Sequence, residues 1–192
     1  LPTLMAVRER QRRAYCMIKA EMADVKAVNY VINHARLIPV DRRSGHDAFD
    51  VAVQRMREGD LIGLHPEATI SRSFELREFK TGAARMALDA QVPIVPIVVW
   101  GAHRIWPKDH PKKVFRNKVP ITVAAGQPLA PRGTPEELNA LLRSAMNDLL
   151  YQVQEEYPHP KDEFWVPQRL GGSAPTQEDS RAIRLSELQE RM

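Results

Sequence analysis

Short apolar runs of strand length alternate with helical periodicities along most of the chain, and that alternation restricts the fold more than any single motif. Residues 14–18, 37–40, 61–64, 92–100 and 119–125 read as strands. Between them, residues 21–33 carry Met22, Val25, Val28 and Ile32 at helical spacing. Ser44 and Asp47 mark a helix start, with Phe49, Val53 and Met56 on one face and Glu58-Gly59-Asp60 closing it. Residues 79–90 read as a second amphipathic helix. Thr134-Pro135-Glu136-Glu137 is a capping box with proline at the first helical position, opening a helix to about Glu156. The strand at 92–100 contains Pro93 and Pro96, so it is expected at an edge or broken. Strands alternating with helices predict an α/β fold, with a mixed, largely parallel sheet flanked by helices.

The expected organisation is one α/β domain over residues 1–157 and a C-terminal extension over 158–192. Gly171-Gly172-Ser173-Ala174-Pro175 reads as a linker. A charged tail follows it, with a helix as one reading.

The chain has 192 residues, 43% of them hydrophobic, so a core is within reach. Its net charge of +4 is compatible with anionic ligands, anionic lipid or nucleic acid without choosing among them. One cysteine, Cys16, excludes an internal disulfide framework and a cysteine-based metal cluster. No metal-ligand spacing is present, and the reading calls for no metal and no cofactor. No run approaches the ~20 apolar residues of a membrane-spanning helix. Aromatic residues are 6%, too few for base-stacking platforms, and no nucleic-acid-binding motif is present, so no nucleic acid partner is expected.

Ligands of such folds sit beyond the carboxyl ends of strands. Two charged loops have that position: Asp41-Arg42-Arg43 and the loop from His65 to Arg72. The planar fork of arginine matches phosphate. Arg42, Arg72 and Lys80 therefore form a candidate phosphate site. Glu67 fits there only if it orients an arginine or accepts from a hydroxyl. Plain surface charge at strand ends is the other reading of the same residues.

The order of four segments resembles the glycerolipid acyltransferase family, of the 1-acylglycerol-3-phosphate acyltransferase type. Leu37-Ile38-Pro39-Val40-Asp41-Arg42 is similar to its block ending in arginine after an apolar strand. His65-Pro66-Glu67-Ala68-Thr69-Ile70-Ser71 is similar to its Phe-Pro-Glu-Gly-Thr-Arg-Ser block. Phe79-Lys80-Thr81-Gly82 looks like the Phe-Lys-x-Gly that follows, and Val92-Pro93-Ile94-Val95-Pro96 like the apolar proline-containing run. The wording Ala68-Thr69-Ile70-Ser71-Arg72-Ser73-Phe74-Glu75 also resembles actinobacterial members. Ala68 stands in place of the family's glycine. Ile70 stands in place of its phosphate-binding arginine. No histidine of the six is followed by four residues and an aspartate. The family's His-x4-Asp block is thus expected upstream of Leu1, and no catalytic residue is expected within this chain.

The resemblance implies the fold of that family and a reaction. A fatty acyl group passes from acyl-CoA or acyl carrier protein to a hydroxyl of a phosphorylated glycerol acceptor, such as 1-acylglycerol 3-phosphate, in phospholipid biosynthesis. The implied substrate-binding residues are Arg42, Glu67, Ala68, Thr69, Arg72 and Lys80. The implied partners are the acyl donor, a lysophospholipid acceptor and a membrane surface. The implied location is the cytoplasmic face of the cell membrane, peripheral or anchored. A phosphate- or lipid-binding module without catalysis, or an acyltransferase for another lipid acceptor, is the alternative. His65 holds a place that is usually aromatic and is read as structural. Cys16, Trp100 and Trp106 are read as packing residues. Lys108, Lys112, Lys113, Arg116 and Lys118 with Trp106 and Phe115 read either as a solvated loop or as a surface for anionic lipid.

Overall fold

The computed structural model describes residues 12–19, 37–40, 46–67, 71–105, 107, 109–111 and 118–189. Its elements are β1 (Ala14–Lys19), β2 (Leu37–Val40), α1 (His46–Arg57), β3 (Leu61–Gly63), α2 (Gly82–Ala90), β4 (Ile97–Trp100), β5 (Thr122–Ala125), α3 (Pro135–Glu156) and α4 (Gln177–Gln189). The helix expected over residues 21–33 lies outside the described residues. The chain folds as two compact units. The first comprises Leu1–Pro66, Lys80–Ile94 and Leu129–Asn139, and the second comprises Glu67–Phe79, Val95–Pro128 and Ala140–Met192.

The first unit is built on a parallel three-stranded sheet in the order β2-β1-β3. Cys16 pairs with Leu37 on one side of β1 and with Gly63 on the other. Pro39 has no N–H to give a ladder, and it sits on β2, at the end of this order, with its side chain exposed. The apolar stripe of α1 covers the sheet. Ala48, Ala52 and Val53 are buried, with Phe49 and Met56 beside them, against Ile38, Met17, Val40 and Ile62. Met86 and Ala90 of α2 join the same cluster. Ala83, Ala84 and Ala87 are also buried, and Ala84 and Ala87 pack with Leu138 at the start of α3. Small side chains let the α2 backbone approach its neighbours closely.

Three expected boundaries move, and hydrogen-bond supply explains each. The helix expected from Phe79 begins only at Gly82. The Lys80 amide instead donates to the Pro66 carbonyl at 3.0 Å. The strand expected over 92–100 is broken, as its prolines foreshadow. Ile94 makes an isolated bridge with Leu129, and a ladder forms only from Ile97. The strand expected from residue 119 starts at Thr122, after Pro120. At the capping box the amide of Glu137 donates to Thr134 Oγ1 (3.2 Å), and the amide of Thr134 donates to Glu137 Oε2 (2.8 Å). These are the reciprocal bonds expected of that motif.

The second unit contains the antiparallel pair β4-β5, with Val99 opposite Val123. Val98 and Trp100 point inward to Leu150, Val153 and Tyr157, and to Trp165 and Val166. Val95, Ile97, Val99, Ile121 and Val123 are exposed.

Residues 171–175 are not the linker their composition suggests. The amides of Gly172, Ser173 and Ala174 donate to the carbonyls of Pro167, Glu163 and Val166 at 3.3, 3.1 and 3.1 Å. Ala174 and Val166 are buried. A Cβ on Gly172 would meet the Val166 carbonyl oxygen at 2.0 Å, whereas one on Gly171 meets nothing within 4 Å. Gly171 has φ +79°, so alanine there costs only backbone strain. We predict that Gly172→Ala destabilises the protein by about 2–3 kcal/mol and Gly171→Ala by about 1 kcal/mol. Thermal melts of the two variants should differ by several degrees. Two equally small shifts would restore the linker.

Candidate functional site

The loop that follows β3 has no ladder of its own, so its backbone groups must find partners elsewhere. Glu67 supplies the first: its carboxylate Oε2 accepts from the Arg77 amide at 3.0 Å and closes residues 67–77 into a ring. The carbonyl of Arg77 accepts from Arg143 Nε of α3 at 3.2 Å. Ser73 is 2% exposed, and its Oγ lies 2.9 Å from Ser71 Oγ. Phe74 adopts φ +55°, an uncommon conformation for a residue with a side chain. Its ring packs on His103, centroids 4.9 Å apart, and on Phe164. The Leu76 carbonyl accepts from Gln177 Nε2 of α4 at 3.3 Å.

Arg72 is held from two directions. Its Nε donates to Asp109 Oδ2 at 2.7 Å, and its Nη2 donates to Glu187 of α4. The side chain is 12% exposed. Burial opposes the charged form, but the hydrogen bonds to Asp109 and Glu187 outweigh it, and the pKa lies above the ordinary arginine value. Arg72 stays a cation, already engaged by two carboxylates.

Of the residues named from the sequence, Glu67 and Arg72 belong to the second unit and to one loop, yet each bonds to other groups. Lys80 opens a segment of the first unit, with its side chain exposed. Arg42, Ala68 and Thr69 lie outside the described residues, as do Ile70, Trp106 and Lys108. His65 is exposed. Sequence reasoning missed Asp109 and Glu187. They stand 37 and 115 positions from Arg72, and no local pattern announces them.

Beside Phe74 the second unit holds a packed group of rings. His103 lies 4.4 Å from Trp100 and 5.6 Å from Trp165, centroid to centroid. Trp100 Nε1 donates to His159 Nε2 at 3.2 Å. Arg104 stacks over Trp165 at 4.3 Å and donates to the Tyr157 hydroxyl at 2.9 Å. That hydroxyl donates to the Pro120 carbonyl at 2.8 Å. His103 Nε2 is buried without a hydrogen-bond partner. Burial, then Arg104 and His159, push its pKa down to about 4. It is a neutral ring inside an aromatic cluster, suited to packing. No group of residues able to hold a metal ion occurs among the described residues.

A family model described as Acyltransferase matches residues 1–100. The chain belongs to the acyltransferase family. Relatives include a 1-acyl-sn-glycerol-3-phosphate acyltransferase of Borreliella burgdorferi, 32% identical over 96 residues, covering 48% of this chain and 38% of that protein. The alpha form of that enzyme from Mus musculus is 28% identical over 126 residues, covering 63% and 44%. The crystal structure of the 1-acyl-sn-glycerophosphate acyltransferase PlsC from Thermotoga maritima aligns with a TM-score of 0.60 at 21% identity. It covers 77% of this chain and 59% of that one, and it shows a shared fold. This acyltransferase chain therefore spans about two-fifths of the length of these curated relatives. The mostly parallel sheet flanked by helices agrees with the fold expected of the family.

Two predictions follow from the geometry of the loop and the ring cluster. Glu67→Ala removes the acceptor of the Arg77 amide, while Glu67→Gln keeps an oxygen there. Hydrogen exchange at the Arg77 amide should accelerate on the order of tenfold in the alanine variant and change little in the glutamine variant. Equal exchange in the two would remove Glu67 from the closure of the ring.

The second concerns His103. Its pKa in the folded chain, about 4, lies below the unfolded value of 6.5. Between those two pH values the unfolded chain binds a proton that the folded chain refuses. Stability is full above pH 6.5 and falls as pH drops toward 4, by about 3 kcal/mol at most. In His103→Phe, urea midpoints read by tryptophan fluorescence should fall less across that window. The residual slope belongs in part to His159, whose pKa is also lowered, by burial first and then by Arg169. An unchanged slope would show that His103 titrates like an exposed histidine.

Proposed function

We propose that the protein transfers a fatty acyl group from an acyl thioester, acyl-CoA or acyl carrier protein, to the free hydroxyl of a phosphorylated glycerol acceptor such as 1-acylglycerol 3-phosphate. The observation that carries the reading is the family match over residues 1–100, which contains the Arg42, Pro66-Glu67 and Lys80 segments in order. The names of the relatives add the acceptor class.

The chemistry asks little of a cofactor. The acceptor oxygen attacks the thioester carbonyl while a base takes its proton. The tetrahedral intermediate collapses, the C–S bond breaks, and the proton leaves with the thiol. None of the described histidines is assigned as that base, since none is followed by four residues and an aspartate, and His103 and His159 serve the ring cluster. What this chain contributes is positioning. Arg42, Lys80 and Arg72 are assigned to the acceptor phosphate, and Glu67 with Ala68 and Thr69 to the shape of the loop beside it. Fixing the phosphate fixes the hydroxyl, which converts a chance encounter into an oriented one.

A lipid acceptor sets the reaction at a membrane surface, and we assign the basic segment from Lys108 to Lys118 to contact with anionic headgroups. No helix among the described residues is long and apolar enough to cross a membrane. The location we infer is the cytoplasmic face.

The test is acyl transfer by the intact protein, with lysophosphatidic acid, glycerol 3-phosphate and a lysophospholipid as acceptors and acyl-CoA and acyl carrier protein as donors. Transfer to a phosphorylated acceptor is expected; transfer to none of the three overturns the reading. Arg42→Ala should lower kcat/KM for the phosphorylated acceptor by on the order of 30-fold or more, because an anion loses its paired cation. Hydrolysis of the thioester by water should change much less. Equal losses in both reactions would place Arg42 outside the phosphate site.

A further inference from the structure

We propose that Glu187 determines whether Arg72 can take an anionic group of the substrate, with α4 lying across Arg72 as a displaceable strap. The inference rests on the reading of Arg72 as a phosphate ligand.

An arginine binds an oxyanion best along one edge of its fork, through two parallel hydrogen bonds. Nε and Nη2 form such an edge. In Arg72 both of these atoms are in use, and by different carboxylates: Nε serves Asp109 and Nη2 serves Glu187. One cation thus faces two anions. A phosphate arriving at this edge finds no second donor and meets like charge. It binds there only after one carboxylate leaves.

Glu187 stands on the C-terminal helix, and the departure is assigned to it. Residues 181–186 of α4 are all exposed. Among the described residues, α4 also reaches the same loop at two other places. One is the Gln177 amide to the Leu76 carbonyl at 3.3 Å, and the other is Arg181 to Glu78 at 3.8 Å. The Arg181–Glu78 pair is solvent-exposed on both sides and holds the helix only weakly. The chain before α4 is fixed, by the buried Ala174 and the bonds of residues 172–174. Pro175 joins that anchored segment to the cap of α4. At its start α4 caps itself. Thr176 Oγ1 accepts from the Asp179 amide at 3.1 Å, and the Asp179 carboxylate accepts from the Thr176 amide at 3.1 Å and from its hydroxyl at 2.7 Å. A helix with its own cap persists when its outer face loses a contact.

The strap makes Glu187 a specificity-determining residue. Removing its charge while keeping its shape leaves an amide oxygen that holds Nη2 more weakly and no longer repels a phosphate. Removing Arg72 cancels that gain.

The experiment uses the intact ¹⁵N-labelled protein and follows the Nε–Hε signal of Arg72, assigned with Arg72→Lys. Inorganic phosphate and glycerol 3-phosphate are titrated separately. In the unaltered protein the signal should move little. In Glu187→Gln both probes should bind on the order of tenfold more tightly and shift it. A variant ending at Thr176 should behave as Glu187→Gln does. With affinities read by isothermal titration calorimetry, which needs no Arg72 signal, the gain should vanish in Arg72→Lys/Glu187→Gln. No gain in Glu187→Gln overturns the proposal. A gain that survives without Arg72 also overturns it, because the effect is then one of net charge. Acyl transfer without any gain sinks the strap and leaves the reaction. A gain at Arg72 without acyl transfer to any phosphorylated acceptor sinks the reaction and leaves the strap.

Discussion

Backbone hydrogen-bond supply governs this molecule more than any one contact. Buried amides and carbonyls need partners, and a loop without a ladder must borrow them from side chains. The 67–78 segment borrows from Glu67, Arg143 and Gln177. The proline positions act by the same rule in reverse. Where Pro93, Pro96 and Pro120 withhold a donor, strands begin late. The described part of the motif loop is thereby tied to its neighbours through side chains.

Charge in that loop is arranged against itself. Arg72 is buried enough that an unpaired guanidinium would be costly, and two carboxylates remove the cost. Pairing of this kind stabilises the cation and at the same time withholds it from ligands. Glu67 plays the simpler part. A carboxylate in this loop looks out of place in the sequence until its oxygen is seen on the Arg77 amide.

The ring cluster around His103 solves a different problem. The β4-β5 pair buries only one face, through Val98 and Trp100, and the C-terminal region supplies Trp165 and Val166 to cover it. Burying these large rings brings polar edges with them. Trp100 Nε1 donates to His159 Nε2, Arg104 donates to the Tyr157 hydroxyl, and that hydroxyl donates to the Pro120 carbonyl. His103 has no such partner at Nε2 and remains neutral instead.

The sequence by itself determined the class of fold, because the periods of two and 3.6 residues are local properties of the chain. It determined the capping box at Thr134, the start of α1 after Ser44 to within a turn, and the break in the 92–100 strand, since caps and prolines act over a few residues. It also determined the family, through four segments in a fixed order. Tertiary structure alone decided the fate of residues 171–175. Glycine, serine and proline read as a linker until Val166 is found against Gly172, a contact that needs the chain to turn back on itself. Tertiary structure likewise decided which charges meet. Arg72 looked like a cation waiting for phosphate, and its partners Asp109 and Glu187 lie far along the chain. Ion pairing depends on distance in space, and distance in space between remote residues is fixed only when the core has packed.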